Sequence, residues 1–123
     1  MLPTTHLSVY HQFAARVDNL IILWRAENPV PEAIASQFEE LESYFLQEIL
    51  TLTDNTLEPK IAHQWRVMQT EIHRLLRLMR TDLLFWQMTM KSGKSGKTPK
   101  QTQRLQDYLQ KLQAFCQIQP MLN

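Results

Sequence analysis

Between Pro59 and Gly93 the chain carries neither proline nor glycine. No other stretch of the sequence limits the fold as much. Proline and glycine are the strongest local breakers of regular structure, so an uninterrupted run of this length favours one long helix. Ile61, Trp65, Met68, Ile72, Leu75, Met79, Leu83, Trp86 and Met90 recur through it at steps of three and four. That spacing is close to a heptad seam and predicts a helix over 58–90. At ~1.5 Å per residue it would be about 50 Å long, against about 30 Å for the other helices.

The remaining sequence is punctuated in the same way. Pro3, Pro29, Pro31, Pro59, Pro99 and Pro120 all fall at the edges of periodic segments, where proline serves as a first helical residue or a stop. A first helix is expected over 5–26, with Leu7, Tyr10, Ala14, Val17, Leu20 or Ile21, and Trp24 as its apolar stripe. A second is expected over 31–50, with Ile34, Phe38, Leu41, Phe45 and Ile49. Asp54 and Asn55 then supply turn chemistry. Gly93 and Gly96 sit in a Lys/Ser/Gly segment over 91–98 that reads as a flexible basic linker. Thr98 and Pro99 cap and start a fourth helix, whose stripe is Leu105, Tyr108, Leu109, Leu112, and Phe115 or Cys116. The expected fold is all-α: a single helical domain over 1–123, four-helix bundle-like, with a long third helix. With 123 residues, 44% of them hydrophobic, the chain can bury a core without covalent staples.

Several function classes find no support in the sequence. The single cysteine, Cys116, cannot form an internal disulfide or a Cys-rich zinc site. It follows Phe115 on an apolar stripe and reads as a small core residue. Residues 1–10 lack basic residues and a continuous apolar run, so they do not read as a secretory signal. The apolar cluster Leu20 to Trp24 falls far short of the roughly 20 residues a membrane span needs. A cytoplasmic protein is expected. Gly96-Lys97-Thr98 resembles the end of a phosphate-binding loop, but Lys91 stands where the first glycine belongs, after a helix rather than a strand. Glu71-Ile72-His73 lacks the Glu-x-x-His spacing of a helical di-metal site. No nucleophile and base fall at a recognisable catalytic turn. Neither enzymatic activity nor a cofactor nor a metal is expected.

Charge is divided unevenly. Residues 1–58 hold two basic and nine acidic residues, a net −7; residues 59–123 hold eleven basic and three acidic, a net +8. On the third helix Arg66, His73, Arg77 and Arg80 share one side, with Arg74 beside them. Three readings stay open: pairing with acidic residues of the second helix, docking onto an acidic protein, or nucleic-acid binding. The last is the weakest, because the pI is only about 7.9 and no reading motif is present. Thr70, His73, Arg74, Arg77 and Arg80 form the candidate partner-binding surface.

The stretch from Gln69 to Gln87, QTEIHRLLRLMRTDLLFWQ, resembles the central signature of the cyanobacterial heterocyst frequency control protein PatD family. So does its approach, Phe45 to Asp54 followed by Leu57-Glu58-Pro59. The likeness is best over 38–87 and looser in the first and fourth helices; the Lys/Ser/Gly linker departs from the family pattern, which is richer in Ala and Gln there. The resemblance implies a small, cytoplasmic, non-enzymatic protein. It implies binding to the tubulin-like division protein FtsZ, support of its filaments, and an influence on cell division and heterocyst frequency. The alternatives are a helical adaptor with an unrelated partner, or a ligand or nucleic-acid binder. A third helix longer than its neighbours would also overhang them, exposing Leu83, Leu84, Phe85, Trp86, Met88 and Met90. Either the first and fourth helices shift along to cover that strip, or a second copy covers it in a two-fold homodimer.

Overall fold

The computed structural model describes residues 3–91 and 99–118. The linker beyond Lys91 and the expected cap at Thr98 lie outside the described residues. Four helices follow in order: α1 Thr4–Trp24, α2 Pro31–Tyr44, α3 Pro59–Lys91 and α4 Pro99–Ile118. Among the described residues there is no strand. Pro31, Pro59 and Pro99 each open a helix. The first helical position suits proline because its N–H would be unpaired there in any case.

The helices form a ring: α1 lies against α2 and α4, and α3 lies against α4 and α2. Their apolar stripes turn inward onto one core. Phe13, Val17, Leu41, Phe45, Ile49, Ile72, Leu75, Leu76, Trp86 and Leu112 are completely enclosed. Ring pairs lock the helices edge to face, Phe13 with Phe45 at 5.9 Å and Trp24 with Trp86 at 5.2 Å between centroids. Such pairs add roughly 0.5–1.5 kcal/mol beyond the area they bury.

The second helix does not end as a plain α-helix. Its last turn, Phe45–Ile49, is π-helical, and Leu50 N–H donates to Phe45 O at 3.0 Å. The stripe Ile34, Phe38, Leu41, Phe45, Ile49 advances by 4, 3, 4 and 4. That is slower than an α-helix turns. The wider final turn takes up the drift, and Ile49 stays fully buried.

Polar side chains occupy some inward positions, each with a partner. His6 Nε2 lies 3.0 Å from the Thr53 carbonyl, so this nitrogen carries the proton and donates. Gln69 Nε2 donates to the Tyr10 hydroxyl, which burial holds above the usual phenol range. Arg104 of α4 donates two parallel bonds to Asp82 of α3, at 3.0 and 3.1 Å. This forked geometry ties α4 to α3.

Cys116 is buried, as its place on the stripe suggests. Burial pushes its thiol up to about 12, with the nearby Asp18 carboxylate adding to the rise. Thiolate is the reactive form. The native protein should therefore react far more slowly with a thiol reagent at pH 8 than the denatured protein, and remain slow at pH 9. Absorbance-monitored titration with a disulfide reagent, with and without denaturant, checks this; equal rates would contradict the packing around Cys116.

Candidate docking surface on the third helix

At 3.6 residues per turn, Trp65, Gln69, Ile72, Leu76, Met79, Leu83 and Trp86 define the buried side of α3. The opposite side faces outward and changes character along its length. Thr70, Arg74 and Arg77 occupy its middle, all exposed. Leu78, Leu84, Phe85 and Met88 occupy its C-terminal part, also exposed.

The five residues singled out from the sequence do not share one environment. Thr70 is exposed, but its hydroxyl donates back to the Arg66 carbonyl at 3.0 Å. Arg74 Nε lies 3.2 Å from both Glu71 carboxylate oxygens. That bond holds the Glu71 carboxyl below its ordinary value. Arg77 makes no ion pair among the described residues. Arg80 pairs with Glu42 of α2. His73 departs from the polar face expected for it: it is half-buried, its ring 5.7 Å from that of Phe45, edge to face. The π turn brings Phe45 against it.

The basic row is thus weaker than the sequence implies. Arg66 pairs with Asp54, Arg74 with Glu71 and Arg80 with Glu42. Part of the charge division between the two halves is consumed internally, because Arg80–Glu42 joins basic α3 to acidic α2. Glu42 is the informative partner. Its side chain is only 10% exposed, while that of Arg80 is 60% exposed. Removing Arg80 strands a nearly buried carboxylate. Arg80→Ala should cost about 1 kcal/mol, with solvent screening keeping it no larger. Arg77→Ala should stay within about 0.5 kcal/mol of wild type. Urea unfolding of the two variants checks the contrast, and equal stabilities would contradict the pairing.

The expected overhang is half realised. Leu83 and Trp86 are buried in the chain's own core, and Met90 packs partly against it. Trp24 at the end of α1 comes alongside Trp86, and Gln87 Nε2 donates to the Pro31 carbonyl at 3.3 Å at the start of α2. Those two helices therefore reach far enough to cover one side of α3. Leu84, Phe85 and Met88, on the other side, remain 55%, 54% and 58% exposed. Beside them a groove of about 420 Å³ runs between α2 and α3, with Ala35, Phe38, Leu83 and Leu84 on its walls and Glu39 on its rim.

Among the described residues no three His, Cys, Asp or Glu side chains gather into a metal-binding group. No helix among them is long and apolar enough to cross a membrane. The outward side of α3 has a polar, cationic middle and an apolar end. Fold and site together define an all-α helical bundle with an outward-facing long helix. A scan against protein-family models finds no match, and neither the curated proteins nor the solved structures yield one.

Proposed function

We infer that the chain is a non-enzymatic cytoplasmic regulator that binds FtsZ and promotes assembly or bundling of its filaments. Through that binding it would affect cell division and heterocyst frequency. The resemblance over 38–87 is the observation that carries this reading. The outward side of α3 supports it. The signature segment contains residues that the core does not use, and Thr70, Arg74 and Arg77 among them are exposed. Of these, Arg77 keeps a cation without an ion pair among the described residues, available to a partner. Charge at an interface rim sets encounter rate and orientation more than final affinity. Association should therefore weaken as salt rises.

Light scattering by assembling FtsZ from the same source tests the reading. Adding the chain at low salt should raise the scattering plateau, and the increment should shrink at high salt. An unchanged plateau at low salt would contradict it.

A further inference from the structure

The groove between α2 and α3 extends beyond the hollow beside Leu84. A second hollow at the start of α2, with Pro31 and Lys91 at its end, shares Ala35, Glu39 and Gln87 with the first, so the two form one continuous groove. It runs where the ring of helices is most loosely joined, because α2 meets α3 more sparingly than any other pair of neighbours meet. Its floor is apolar, built from Phe38, Leu83 and Leu84. Its α2 wall is one line of side chains: Glu32, Ala35, Glu39 and Glu42 follow at steps of three and four. Ala35 is the low point of that wall. There an apolar side chain from outside can reach the floor between two carboxylates.

The charges along the groove say what it fits. Glu42 is already held by Arg80. Glu32 and Glu39 are exposed and have no ion pair among the described residues. They stand about two helical turns, ~10 Å, apart on α2. The α3 wall is uncharged at Leu84 and Gln87, with Lys91 at one end. We propose that this groove takes a basic amphipathic helix of another protein. Its apolar side chains lie over Phe38, Leu83 and Leu84, and two Lys or Arg side chains seven residues apart face Glu32 and Glu39. A helix laid in a groove presents its anchors at three- and four-residue steps. Lying along α2 it rises by the same ~1.5 Å per residue, so a seven-residue step matches the two carboxylates. The apolar floor supplies the affinity, and the acidic rim sets orientation and selects the sign of charge.

This inference does not rest on the FtsZ reading, because Thr70, Arg74 and Arg77 are not among the groove's walls. Two fluorescein-labelled helical peptides of about 15 residues test it. Both carry leucines at three- and four-residue steps; one has lysines seven residues apart beside that stripe, the other glutamates. In anisotropy titrations of the full chain at low salt, the lysine peptide should bind at least about tenfold more tightly, the equivalent of roughly 1.4 kcal/mol. Glu32→Lys with Glu39→Lys should invert that preference. Leu84→Gln, a neutral change at a half-exposed position, should weaken the lysine peptide about tenfold with unchanged circular dichroism. Val67→Gln, exposed on α3 outside the groove, should bind as wild type. Equal binding of the two peptides, binding of neither, or a preference that survives the double charge reversal would overturn the proposal. So would Leu84→Gln binding like wild type. Light scattering of the chain alone closes the test: a mass of 14.6 kDa leaves the groove free for the peptide. Twice that mass, reduced to a single chain by Leu84→Gln, would assign the groove to a second copy and overturn the proposal equally.

Discussion

Trp86→Ala is expected to cost about 3–5 kcal/mol, the range for removing a large enclosed aromatic side chain. For a chain of this size that lowers the thermal midpoint by about 10–20 °C. Trp86 is fully buried and meets Trp24 edge to face. It stands where the ends of α1 and α3 come together with the start of α2. Its indole N–H has no hydrogen-bond partner among the described residues, so the loss is one of packing rather than of a polar bond. Trp86→Phe keeps an aromatic ring in the same place and should lose well under half as much. Thermal melts followed by far-ultraviolet circular dichroism measure both. A Trp86→Ala cost below about 1 kcal/mol would mean that this end of the bundle is not closed as described, since enclosed cores do not relax so completely.

The second large effect concerns binding. Reversing Arg74 and Arg77 together, as Arg74→Glu with Arg77→Glu, should weaken association with FtsZ polymers about tenfold or more at low salt. Fold stability should change little, because neither side chain takes part in the core. Both side chains are exposed, and among the described residues Arg74 forms its ion pair with Glu71 on its own helix. Arg80→Glu belongs to a different class. It would set a second carboxylate against the nearly buried Glu42, so its first effect should be lost stability. Binding curves for the variants, each measured beside an unfolding curve, distinguish these outcomes.

The helices and their faces were legible because the signals are local. Proline at 31, 59 and 99 marks the helix starts, and steps of three and four mark the inward side. The inward polar residues were not legible from apolar periodicity. Gln69 takes a buried place beside Met68, which is only half-buried, because the Tyr10 hydroxyl of α1 reaches it. Asp82 is buried because Arg104 of α4 forks onto it. The sequence does carry one clue: Gln69 stands four residues from Trp65, three from Ile72 and seven from Leu76, in step with the seam. A polar residue in such a slot marks a partnered position. The arginine row was harder to read. Which arginines pair depends on the register of α2 against α3 and on the path after the π turn, and both are tertiary. For the same reason the exposed overhang is smaller than helix lengths suggest, since lengths alone do not say how far α1 and α2 reach along α3.

Co-sedimentation of the wild-type chain and the Arg74→Glu/Arg77→Glu variant with FtsZ polymers from the same source tests the central claim most directly. The wild-type chain should pellet with the polymers at low salt and progressively less as salt rises, while the variant stays largely in the supernatant. Wild-type protein that remains in the supernatant at low salt, or a variant that pellets equally well, would contradict docking through the outward face of α3.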